Sequence, residues 1–203
     1  MIIPAILEKT KEDLFLRISQ VKTLTDIVHI DIMDGSITTD KTILPSLIKN
    51  IEVPSEIHFM CNTPSLYIND ISGGLVQKVI IQREIANFEK EIKIFKDLFT
   101  TYGSLDIDTP TDSVKDFIGI LDGIMLMSVK FGKAGQEFNS TVLDKIDKIK
   151  SFTNNTEIDG GITLDNIKIC ADKGIKDFAI SSSIYKSENI RKTIESFNNV
   201  LYG

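Results

Sequence analysis

The stretch Ile2-Ile3-Pro4-Ala5-Ile6-Leu7-Glu8-Lys9-Thr10 is an apolar run that ends in a charged turn. The run reads as a strand, and behind it Leu14, Ile18 and Val21 share one face of a helix. A parallel sheet built from such units closes in one of two ways. An open, doubly wound sheet for a dinucleotide would carry Gly-x-Gly-x-x-Gly straight after its first strand. The turn Leu7-Glu8-Lys9-Thr10 has no glycine, so the reading favours a barrel.

Working outward, the same alternation recurs to the end of the chain. Strands are expected at Ile2–Leu7, Asp26–Met33, Ser55–Met60, Lys78–Gln82, Gly103–Asp106, Gly123–Val129, Thr156–Asp159 and Asp177–Ser181. Helical faces recur in Phe88, Ile92, Phe95 and Phe99, in Val142, Ile146 and Ile149, and in Ile190, Ile194, Phe197 and Leu201. Thr163 is placed to cap a helix that Gly174 ends. Helices are also expected near Leu44–Lys49, Pro64–Ser72 and Thr111–Ile118. Eight β/α units without a hairpin signal imply a parallel sheet. The expected architecture is α/β, one (β/α)8 TIM barrel spanning residues 1–203. Barrels normally need ~200 residues or more, so this one is compact.

Composition excludes several classes. A net charge of -6 gives no general attraction to nucleic acid or anionic membrane, so an anionic ligand must be gripped locally. No apolar run approaches the ~20 residues that span a bilayer, and the N-terminus shows no basic leader. Cys61 and Cys170 stand alone, without disulfide or metal-knuckle spacing. A cytoplasmic protein is expected.

Barrel active sites gather at the C-terminal ends of the strands. The second strand ends His29-Ile30-Asp31-Ile32-Met33-Asp34-Gly35, and alternation puts His29, Asp31 and Met33 on one face. The third ends Glu56-Ile57-His58-Phe59-Met60 and the seventh Glu157-Ile158-Asp159-Gly160-Gly161. Both histidines of the chain and two rim aspartates thus fall at strand ends. A histidine in a strand is commonly a hydrogen-bonded core residue and an aspartate there commonly a helix cap; four converging in a barrel point to a site. Such an N/O donor set suits Zn, Mn, Fe or Co, and two carboxylates can also act as base and acid on opposite faces of a substrate. Gly132-Lys133-Ala134-Gly135, Gly160-Gly161 and Ser181-Ser182-Ser183 follow the last three strands, where small residues let backbone N–H groups reach a phosphate. Lys130 reads as a solvated lysine, as does Lys133 unless it neutralises the phosphate. Met33, Met60, Met125 and Met127 read either as apolar rim cover or as core filler.

Taken together, Pro4-Ala5-Ile6-Leu7, His29 to Gly35, Ile57-His58-Phe59-Met60, Met127-Ser128-Val129, Gly135-Gln136-Glu137-Phe138 and Glu157 to Ile162 resemble the ribulose-phosphate 3-epimerase family over essentially the whole chain. The resemblance implies a ribulose-phosphate-binding type of barrel, a metal-dependent isomerase of the pentose phosphate pathway. It would interconvert D-ribulose 5-phosphate and D-xylulose 5-phosphate by proton transfer through an enediolate. It implies one divalent metal ion on His29, Asp31, His58 and Asp159, with no organic cofactor, and Asp31 and Asp159 as the proton-transfer pair. Met33, Met60 and Met127 would cover the intermediate. His58, Gly132, Lys133, Ala134, Gly135, Gly160, Gly161, Ser181 and Ser182 would contact the substrate or its phosphate. The partner is a phosphorylated ketose, without nucleic acid or membrane; homo-oligomers occur in such barrels.

The chain departs from that pattern in places. Ala5 stands where the family usually has serine, Gln82 replaces a histidine, Phe131 a proline, Ala134 a glycine and Ser181 a glycine. The loop Ser36-Ile37-Thr38-Thr39-Asp40-Lys41 has lost an aromatic and proline-asparagine pattern. The ligand set is intact while the substrate-facing residues are altered. That asymmetry keeps two other readings in view: an epimerase of a related ketose phosphate such as allulose 6-phosphate, and a non-catalytic sugar-phosphate-binding barrel. A metal-independent decarboxylase of similar shape would need an Asp-x-Lys-x-x-Asp array, which is absent.

Overall fold

In the computed structural model, which describes residues 1–203, eight parallel strands pair in chain order and the last closes on the first. They are β1 (Ile2–Ile6), β2 (Val28–Met33), β3 (Ser55–Met60), β4 (Val76–Gln82), β5 (Thr100–Leu105), β6 (Gly123–Met127), β7 (Thr156–Asp159) and β8 (Asp177–Ile180). The helices are α1 (Lys11–Val21), α2 (Ile68–Ile71), α3 (Phe88–Lys96), α4 (Val142–Ile149), α5 (Leu164–Asp172), α6 (Ser182–Tyr185) and α7 (Ile190–Tyr202). The eight strands fall where the apolar runs predict them, two with the expected ends and the rest with ends shifted by at most three residues.

Caps account for the sharper helix boundaries. The Thr10 side chain accepts the amide of Asp13 at 3.1 Å and starts α1. Thr163 and Asn166 form a reciprocal capping box at α5, and Gly174 ends that helix with φ +109. The expected helices after β2, β3 and β5 are mostly 3-10 turns instead, at Pro45–Asn50, Pro64–Tyr67 and Thr111–Phe117, with α2 adding a single turn to the middle one. None has a side-chain cap, and four to seven residues in such a turn recover too few hydrogen bonds to offset helix nucleation. The short helix α6 was not anticipated from the sequence.

The apolar core divides into two parts. The larger, 40 buried residues including Ile30, Ile57, Phe59, Ile81 and Leu126, fills the space between sheet and helices. The smaller, Ile80, Tyr102, Met125, Met127 and Val129, lies inside the barrel along β4 to β6. Much of the remaining interior is polar: His29, Asp31, Glu56, His58, Lys78, Gln82 and Glu157 are all buried. Strand alternation explains the split, since each of these inward residues except Gln82 is followed by an outward Ile, Phe or Val. No helix is long and apolar enough to cross a membrane.

Candidate active site

Register brings the expected ligands together. Asp31 on β2 pairs across to His58 on β3, and Met127 on β6 to Asp159 on β7. Asp31 Oδ1 lies 3.0 Å from His58 Nδ1 and 3.3 Å from His29 Nε2. The two imidazoles meet edge to face with centroids 5.6 Å apart. One ligating atom from each of His29, Asp31, His58 and Asp159 lies within 4.8 Å of all the others. Donors bound ~2.0–2.2 Å from one ion are necessarily only about 3–4 Å apart, so the residues present fit a single divalent cation.

Around these four lies a second set of buried polar groups. Glu56 Oε1 is 2.7 Å from His29 Nδ1, and Gln82 Oε1 is 2.8 Å from His58 Nε2. Lys78 Nζ contacts Glu56 Oε2 at 2.7 Å and Glu157 Oε2 at 2.9 Å, and sits 4.5 Å from the centre of the Tyr102 ring. His29, Glu56 and Glu157 also have metal-ligand spacing. There the Lys78 ammonium already supplies the positive charge between the two glutamates.

The two aspartates differ electrostatically. Burial drives the Asp31 carboxyl upward, but hydrogen bonds from His29 and His58 outweigh it and hold the group well below the ordinary range. Asp159 has no such donors; desolvation first, then the negative charge of Asp31, push it up to about 6. Burial alone would lower His29, yet its contacts with Asp31, Glu157 and Glu56 raise it well above the usual imidazole value. Glu56 is lowered to about 2 because His29 and Lys78 together overcome the cost of its burial.

The central cavity opens above Asp31 and Asp159. It is lined by Ala5, Met60, Met127, the loop Gly132 to Gln136, Gly160, Gly161, Ser181 and Ser182. The three groups of small residues expected to grip a phosphate thus face one cavity. Gly161 is required there: its φ is +58, and a Cβ would come within 2.4 Å of the Phe138 amide nitrogen. Ala134 and Ser181 occupy positions of negative φ, so neither departure strains the backbone. Gln136 Nε2 donates to the carbonyls of Lys130 and Lys133 at 2.6 and 2.8 Å and ties the loop across its base. Lys133 is exposed on that loop, and Lys130 pairs with Asp108 at 2.9 Å.

Three expectations change with the geometry. His58 is fully buried beside its register partner Asp31 and is not among the residues that line the cavity. Met60 and Met127 line the cavity, whereas Met33 is buried beside Gly132 and Met125 is core filler. Glu56, Lys78 and Gln82 were not read as site residues. Alternation held the signal for two of them, since Glu56 precedes His58 by two residues and Lys78 precedes Gln82 by four.

Fold and site together define a parallel α/β barrel with a two-histidine, two-aspartate cluster at its rim that could hold a metal ion. A family model described as "Ribulose-phosphate 3 epimerase family" matches residues 1–185. The ribulose-phosphate 3-epimerase of Buchnera aphidicola is 29% identical over 205 residues, covering 94% of this chain and 89% of the relative. That of Escherichia coli K12 is 26% identical, covering 87% and 84%. Among solved structures, 3-hexulose-6-phosphate synthase from Salmonella typhimurium superposes with a TM-score of 0.73 at 14% identity, covering 98% of this chain and 97% of its own. Phosphoribosyl anthranilate isomerase from Thermococcus kodakaraensis gives 0.66 at 14% identity, covering 100% and 98%. These structural likenesses speak for the fold. The chain belongs to the ribulose-phosphate 3-epimerase family and is an isomerase acting on carbohydrates.

Proposed function

We propose that the chain is a metal-dependent 3-epimerase that interconverts D-ribulose 5-phosphate and D-xylulose 5-phosphate. The observation that carries this reading is the convergence of Asp31 and Asp159, from the separate strands β2 and β7, on one point at the central cavity that both line. Inverting a carbon next to a carbonyl needs a base on one face and an acid on the other. Asp31 takes the C3 proton as the base on one face. Asp159, which retains a proton more readily, returns one to the opposite face, and the roles exchange in reverse. His29, Asp31, His58 and Asp159 would hold the divalent ion, which supplies Lewis-acid stabilisation to the developing enediolate charge.

Met60 and Met127 exclude water above the carboxylates, and the loop Gly132 to Gly135 with Gly160, Gly161, Ser181 and Ser182 anchors the phosphate. Anchoring fixes C3 between the two aspartates and converts binding energy into orientation.

The test is turnover of D-ribulose 5-phosphate by metal-reconstituted protein, followed with exchange of the C3 hydrogen in heavy water. Turnover with exchange supports the reading. Exchange and turnover only with a hexulose phosphate would move the substrate; binding without exchange would make the chain a sugar-phosphate receptor.

A further inference from the structure

The two histidines turn different ring nitrogens toward the point the four residues share: His29 its Nε2, 3.3 Å from Asp31 Oδ1, and His58 its Nδ1, 3.0 Å from that same oxygen. A neutral imidazole carries one N–H and one lone pair, so a ring that ligates must place its proton on the nitrogen pointing away. The nearest partner of His29 Nδ1 is Glu56 Oε1 at 2.7 Å, with Glu157 Oε1 farther off at 3.6 Å, and the partner of His58 Nε2 is Gln82 Oε1 at 2.8 Å.

We infer that Glu56 and Gln82 are positioning residues that lock the two histidines in opposite tautomers, His29 protonated at Nδ1 and His58 at Nε2. The inference rests on the metal-site reading above and assigns roles to two side chains outside the ligand set.

The surroundings of each partner support its role. Glu56 is an acceptor without a proton to give, because Lys78 Nζ lies 2.7 Å from its other oxygen. Gln82 is buried, and its Nε2 makes no hydrogen bond, so its amide contributes to this packing only through Oε1. A glutamine turned the other way would offer His58 Nε2 a donor and force the proton onto Nδ1, where ligation needs the lone pair. The direction in which this one side chain faces therefore decides whether His58 can ligate. An amide acceptor also cannot itself give or take a proton, so the tautomer is held without adding a titrating group.

The chain has two histidines in all, so the test reads directly. In 15N-labelled, zinc-loaded protein, long-range proton–nitrogen correlation spectra distinguish Nε2, which couples to both ring carbon protons, from Nδ1, which couples to one. One ring protonated at Nδ1 and the other at Nε2 is expected. Gln82→Met should weaken zinc binding ~10–100-fold, the usual scale for losing an outer partner of a ligating histidine, and should perturb the Nε2-protonated ring alone. Gln82→Glu keeps the acceptor and should restore both affinity and spectrum. Glu56→Leu and Glu56→Gln should behave in parallel on the other ring.

Two rings in the same tautomer, or zinc affinity unchanged in Gln82→Met, would overturn the inference while leaving the metal site standing. Failure of the wild-type protein to bind zinc at one per chain would instead overturn the metal-site reading, and this inference with it. The wild-type spectrum needs no variant to fold.

Discussion

At the scale of single residues, Asp159 is where the proposed chemistry is most exposed to test. Asp159→Asn keeps the shape and one ligating oxygen but cannot carry a proton between substrate faces. Turnover measured at saturating metal should fall at least ~100-fold, the scale of losing a general acid or base; a near-normal rate would remove Asp159 from proton transfer. His58→Ala should lower the metal content of the purified protein, read by elemental analysis, because one of four converging donors is gone. The cysteines make a contrasting case. Both are fully buried, and burial pushes the Cys170 thiol up to about 11 and Cys61 higher still. A raised thiol stays protonated at pH 8, and the thiolate is the reactive form. Neither should react with a disulfide reagent at that pH until the chain is unfolded, whereupon both should. The four residues proposed to ligate were legible in the sequence because each is a His or Asp at an inward position of a strand. Glu56 and Gln82 were not recognised as site residues, because their roles come from which ring nitrogen they face, and strand spacing carries no such information.

At the scale of elements, the turn from β7 into α5 shows how backbone conformation sorts the small residues of the phosphate loops. Gly161 sits at φ +58 against the Phe138 backbone. Gly161→Ala should cost at least ~1–2 kcal/mol from the left-handed backbone alone and displace the Phe138 segment from the cavity wall. Both a lower denaturation midpoint and a higher KM are expected, and an unchanged KM would separate this turn from substrate binding. Ala134→Gly is the control. Its φ is already negative, so the change relieves nothing and loosens the unfolded chain, lowering stability by roughly 0.4–1 kcal/mol. Which glycines matter was only partly readable, since a Gly-Lys-Ala-Gly string does not say which members have positive φ. The strands were readable because Ile- and Val-rich runs suit a sheet covered on both faces. The segments after β2, β3 and β5 were misjudged because their apolar spacing is helical, while their length and uncapped starts allow only a 3-10 turn.

At the scale of the whole molecule, the barrel interior sets a charge problem that Lys78 resolves. Glu56 and Glu157 are fully buried, come from strands β3 and β7, and meet at one ammonium from β4. The neighbouring strands β3 and β4 and the distant β7 are therefore joined through one nitrogen. This pairing was not foreseen from the chain, because barrel closure decides which inward residues meet across the interior. Removing one partner of a buried ionic cluster leaves uncompensated charge, commonly costing ~3–5 kcal/mol. Lys78→Met should lose stability on that scale in chemical denaturation at pH 7. The sign of its pH dependence follows from Glu157. Burial, then Glu56, already raise its carboxyl above the ordinary value, and Lys78 is the main group opposing that rise. Without Lys78 the group rises further, so the folded variant binds a proton that the unfolded chain releases at a lower pH. Stability of Lys78→Met should therefore recover as pH falls from 7 toward that of an unperturbed glutamate, because protonation removes the unpaired charge. Adding Glu157→Gln should recover part of the loss at pH 7 and flatten the dependence. A deficit in Lys78→Met that stays constant from pH 7 to 5 would mean that the ammonium contributes packing against Tyr102 and not charge.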